Sequence, residues 1–78
     1  MPTVLSIGRY RFFFYSREGT EEPHIHVEAA ENSAKYWLTP VSRASSKRFR
    51  TAELFEIEQL VFQNREKFVA AWYAHFGQ

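Results

Sequence analysis

The chain has 78 residues, a net charge of +1 and no cysteine, which excludes a disulfide framework or a thiolate zinc cluster and leaves room for one domain, residues 1–78, with one site at most. Eight Phe, four Tyr and two Trp let so short a chain still bury a core, because each ring hides about 150 to 250 Å². Met-Pro-Thr-Val-Leu at the start is not a basic region before a long apolar run, and no window reaches the roughly 18 apolar residues of a membrane span, so the chain reads as soluble and cytoplasmic.

Thr3 to Ile7 reads as a first strand, with Thr3, Leu5 and Ile7 on one side and Val4 and Ser6 on the other. Gly8 and Arg9 make the reversal into Tyr10 to Tyr15, since glycine accepts the positive φ of a hairpin turn. In this second strand Tyr10, Phe12 and Phe14 oppose Arg11, Phe13 and Tyr15. Aromatics on both faces suit a central strand.

Ser16 to Pro23 is a polar, acidic loop containing Glu18, Gly19, Glu21 and Glu22. Pro23 holds Glu22 extended and opens a third strand at about His24. In that strand His24, His26 and Glu28 share one face and Ile25 and Val27 the other. Two residues of rise set the histidine Cα atoms about 6 to 7 Å apart, within reach of one metal ion or one phosphate. Ala29 to Ser33 reads as a turn and Ala34 to Leu38 as a fourth strand.

Thr39 to Arg50 reads as a basic connector. Residues 41 to 50 hold four basic side chains and no acid, whereas residues 51 to 78 hold two basic and four acidic ones. Thr51 is placed to cap a helix and Glu53 to meet the positive end of its dipole. Leu54, Ile57, Leu60 and Val61 form its buried stripe, while Phe55 and Phe62 lie seven apart on an offset face suited to a partner helix or a homodimer contact. A break near Asn64 starts a second helical segment carrying Phe68, Ala71, Trp72 and Phe76, which Gly77 stops. The fold class expected is α+β: a four-stranded antiparallel meander, hairpin first, then one or two C-terminal helices on one face. The histidine face is left at least partly open.

Several stretches together resemble a known family. They are Met1 to Leu5 with Gly8, Tyr10 to Ser16, Pro23 to Glu28, Ala34 to Leu38, and Glu53-Leu54 with Ile57, Asn64 and Trp72. The resemblance is to a bacterial domain-of-unknown-function family catalogued as four-one-six-zero, and it spans nearly the whole chain. It implies one half of a two-gene cassette of toxin–antitoxin type, with a small cognate protein as partner, and it brings no catalytic residues.

The chemistry of His24 and His26 is read in four ways. Both could be plain strand residues, because a short motif alone has a high false-positive rate. Both could be ligands of a divalent metal such as zinc with Glu28, although Glu28 lies about 13 Å along the strand from His24; His75 serves only if the last helix docks nearby. They could act as an acid–base pair on RNA, one imidazole taking the 2′-hydroxyl proton and the other protonating the leaving oxygen, with charge from Arg11, Arg17 or the basic connector and with no cofactor required. Alternatively Arg43, Lys47, Arg48 and Arg50 form a phosphate-contacting patch for nucleic acid, with Phe49 among them for stacking. The leading expectation is a toxin–antitoxin-like component that acts through a protein partner and on RNA. The alternative is a non-enzymatic protein-interaction or metal-binding module.

Overall fold

A computed structural model describes residues 3–17 and 19–77, so Met1, Pro2, Glu18 of the acidic loop and Gln78 lie outside the described residues. Five strands, β1 (Thr3–Ile7), β2 (Tyr10–Phe13), β3 (His24–Ala29), β4 (Asn32–Leu38) and β5 (Val41–Lys47), pair antiparallel in that order as one open sheet. Two helices follow, α1 (Thr51–Gln63) and α2 (Arg65–Phe76). The architecture is α+β, but the four-stranded expectation is corrected to five strands. The middle of the basic connector, Val41–Lys47, is β5. Its sequence, Val-Ser-Arg-Ala-Ser-Ser-Lys, has no apolar alternation because the strand buries almost nothing. It forms because β4 offers a second edge of backbone donors and acceptors that must be paired.

α1 lies over β4 and β5, and α2 over β3 and β4. Phe12, Ile25, Val27, Tyr36 and Leu38 point from the sheet into the layer beneath the helices and meet Ile57, Val61, Phe68 and Trp72, all at most 1% exposed. Each such side chain contributes about 1.5 to 3 kcal/mol on burial. Phe12 packs on Phe68 with ring centres 5.1 Å apart, and Trp72 packs on Phe14 and Phe76 at 5.4 and 4.3 Å. The Tyr36 hydroxyl donates to the Leu54 carbonyl at 3.2 Å, joining β4 to α1, and burial pushes its pKa above the ordinary tyrosine value.

The helices divide at Asn64, as the sequence predicts. The Asn64 side chain donates to the Leu60 carbonyl at 2.8 Å, closing α1. Gly77 ends α2 at φ +74°. The expected cap moves by one residue: Arg50 is extended and occupies the capping position, with Thr51 already helical. The Glu53 carboxylate accepts from the Arg50 backbone N–H at 2.8 Å and also pairs with Arg9. These contacts, the backbone one foremost, hold its pKa below the ordinary carboxylate value. In β1 a bulge between Thr3 and Leu5 breaks the expected alternation, and Val4, Leu5 and Ile7 all pack against the core.

Candidate functional site on the open sheet face

The face of the sheet opposite the helices is assembled by register. Arg11 pairs with Glu28, Phe13 with His26, His26 with Lys35, and His24 with Trp37. Directly opposed residues point to the same side, so these side chains form neighbouring rows across three strands. His26 stacks on Phe13 with centroids 5.5 Å apart and planes at 26°, and Tyr15 meets His26 edge-on at 4.6 Å. Phe13 is only 2% exposed although no helix covers it, because Tyr15, His26 and the Arg11 guanidinium roof it. Arg11 sits 4.3 Å from the Phe13 ring centre, pairs with Glu28 at 3.0 Å and donates to the Thr3 hydroxyl at 2.8 Å. Lys35 lies over Trp37 at 4.5 Å and pairs with Glu21 at 2.7 Å.

This face holds a depression of about 450 Å³, with Phe13, Tyr15 and His26 at one end and Lys35, Ser45 and Lys47 at the other. Tyr15 is 46% exposed and offers ring surface to a ligand. Lys47 makes no ion pair among the described residues, so its ammonium is available to an anion.

The two histidines are unlike each other. His26 is half-buried in the depression, whereas His24 is 0% exposed. The open-face expectation therefore holds for His26 and is corrected for His24. The reason lies in the sheet: pairing of β2 ends with Phe13 opposite His26, and β1 with it, so at His24 β3 is the edge strand. There Trp72 of α2 approaches to 4.7 Å, while Trp37 and His26 close the other sides at 5.6 and 5.1 Å. His24 Nδ1 lies 2.8 Å from the Glu22 carbonyl oxygen. A carbonyl only accepts, so Nδ1 carries the hydrogen.

Other residues singled out in the sequence are not brought together. Arg43 faces the helix side, opposite Tyr36 and beside Phe55 and Glu58. Lys47 faces the depression, Arg48 pairs with Glu31 at 2.8 Å, and Arg50 heads α1. The four cations thus lie on different sides of the molecule. Phe49 is buried and packs on Tyr10. Glu28 shares the face with His26, but its carboxylate is held by Arg11. His75 stacks on Phe14 at the far end of α2. Among the described residues no three His, Asp or Glu side chains are grouped to hold a metal ion. Phe55 and Phe62 are 67% and 68% exposed on α1.

Sequence reasoning missed Tyr15, Lys35, Trp37 and the pairing of Arg11 as parts of the site. The signal was the strand register: once His26 is set opposite Phe13, Arg11 and Lys35 follow as neighbours. No helix among the described residues is long and apolar enough to cross a membrane.

The family model described as Domain of unknown function (DUF4160) matches residues 10–73. That span runs from the first residue of β2 into α2 and contains the whole depression. No curated protein and no solved structure matches the chain.

Proposed function

We propose a function for this chain, which belongs to the family Domain of unknown function (DUF4160): it is the binding component of a two-protein module of toxin–antitoxin type, and its open sheet face takes single-stranded RNA. The observation that carries this reading is the depression itself, with aromatic rings at one end and, at the other, serine hydroxyls and the Lys47 ammonium, which makes no ion pair among the described residues. Unstacked bases have π-faces for such rings, and phosphates have charge for the lysine. Binding is favoured over cleavage because an acid–base pair needs both imidazoles at the substrate, and His24 is buried with Nδ1 committed to a backbone carbonyl. Glu28, committed to Arg11, disfavours zinc as the ligand of the same face.

The test is fluorescence anisotropy with a labelled single-stranded RNA of about 10 nucleotides. Tyr15→Ala should weaken binding roughly 5- to 150-fold, the range of one lost base stack at about 1 to 3 kcal/mol. Lys47→Ala should lower the salt dependence by roughly 0.7 in log–log slope, the value of one phosphate contact on a single strand. Equal affinity of the native and variant chains sinks the reading.

The exposed Phe55 and Phe62 support a second contact, with the cognate protein of the pair. Two large rings on one helix side, each about two-thirds in solvent, are what an apolar groove of a partner covers. Phe55→Glu should abolish association with that protein while leaving RNA binding unchanged.

A further inference from the structure

The helical layer is narrower than the sheet it covers. Five strands spaced about 4.8 Å apart spread over about 24 Å, while two helices about 10 Å apart cover about 20 Å. The shortfall falls at β1, since α1 sits over β4 and β5 and α2 over β3 and β4. Val4, Leu5 and Ile7 are half-buried and pack against the margin of the core, and Val4 lies beside the flank of α2. That flank carries Ala71 and Ala74, whose short side chains leave a cleft of about 410 Å³ bounded by Val4, Phe14 and His75.

The two edges of the sheet also differ in charge. β5 carries Arg43 and Lys47 on its strand, charges that oppose edge-to-edge association. β1 carries Thr-Val-Leu-Ser-Ile and no charge. Beyond its bulge the segment Leu5–Ser6–Ile7 pairs regularly with β2, so its outer backbone groups have strand geometry.

We infer that β1 is the edge on which a second copy of this chain pairs, antiparallel about a two-fold axis at Ser6, making one continuous ten-stranded sheet from two five-stranded ones. The occupant is a second copy because the edge is self-complementary. An axis at Ser6 sets Leu5 of each copy beside Ile7 of the other on the helix side, two apolar cross-strand pairs where each copy has half-exposed surface. No like charges face each other within Thr3–Ile7, whereas two β5 edges would align four cations with no acid on the strand. The surface is separate from the RNA depression and from the Phe55 and Phe62 stripe, so the inference does not depend on the proposed function.

Sedimentation velocity of the full chain, from low to high micromolar concentration, tests it with a charge swap. Ser6 is exposed, so Ser6→Glu and Ser6→Lys leave the core untouched, and circular dichroism checks that both remain folded. The native chain should be a reversible dimer. Each variant alone should raise the dissociation constant by roughly tenfold or more at low salt, by setting like charges opposite across the axis. An equimolar mixture of the two variants should recover dimers. Amide exchange in β1 should slow as concentration rises. A monomer across the whole range overturns the inference, as does a dimer indifferent to both Ser6 variants. Dissociation by Phe55→Glu instead would place the contact on α1 and overturn it as well.

Discussion

Removal of the His24 ring separates a structural histidine from a ligand-facing one. His24 is fully buried, within 4.7 to 5.6 Å of Trp72, His26 and Trp37 by ring centres, and its Nδ1–H donates to the Glu22 carbonyl. His24→Ala leaves a cavity of the order made by large-to-alanine core substitutions, about 2 to 5 kcal/mol, and removes a hydrogen bond worth about 1 kcal/mol. A loss of about 3 kcal/mol or more is the expected result. A chain of this size has roughly 4 to 12 kcal/mol in total, so the variant loses much of its stability and its Tm falls by at least about 12 °C. His26→Ala loses partial stacking on Phe13 and Tyr15 at a half-exposed position, about 1 kcal/mol, and should shift Tm by less than half as much. Its larger effect should fall on RNA affinity. Thermal melts by circular dichroism compare the two variants with the native chain. A His24→Ala melt within a few degrees of native, or a His26→Ala melt that falls further, contradicts this assignment of roles.

Other outcomes follow from single contacts. A Cβ at Gly19 would meet Phe76 Cδ1 at 3.0 Å, so Gly19→Ala should cost about 1 kcal/mol and speed amide exchange at the end of α2; unchanged exchange there would show that the loop gives way freely. Glu53 has a lowered pKa in the folded chain, so its contribution is present above the unfolded carboxylate value of about 4.3 and is lost as pH falls through the lower folded value. Glu53→Gln keeps an acceptor but removes the charge; its Tm deficit at neutral pH should shrink in acid, and a deficit constant with pH would count against the ion pair and cap. Chelator or added zinc should leave the melting curve unchanged, because Glu28, the carboxylate that follows His26 on this face of β3, is paired with Arg11; a chelator-sensitive Tm would instead mean that a metal is bound by the folded state.

The elements that bury a periodic apolar face were legible from sequence. Alternation in Tyr10 to Phe14 and in His24 to Val27, and the helical stripe of Leu54, Ile57 and Val61, placed β2, β3 and α1 because each has one side in the core. Asn64 and Gly77 marked helix ends through local backbone chemistry. β5 escaped because its reason to be a strand lies in the β4 edge rather than in its own residues. The same cause hid the division of labour between the histidines. Strand periodicity puts His24 and His26 on one face, but only the early end of β2 and the position of Trp72 bury one of them. The basic run looked like one patch in the sequence, yet strand alternation, the bulge opposite Lys35 and Tyr36, and the Arg48–Glu31 pair scatter its charges.

An amide-resolved NMR titration of the full chain with single-stranded RNA of about 10 nucleotides tests whether the open sheet face is the RNA surface. Shifts should concentrate at Phe13, Tyr15, His26, Lys35 and Lys47, with Phe55 and Phe62 on α1 undisturbed. A map centred on α1, or saturating RNA with no shift in the depression, would contradict it.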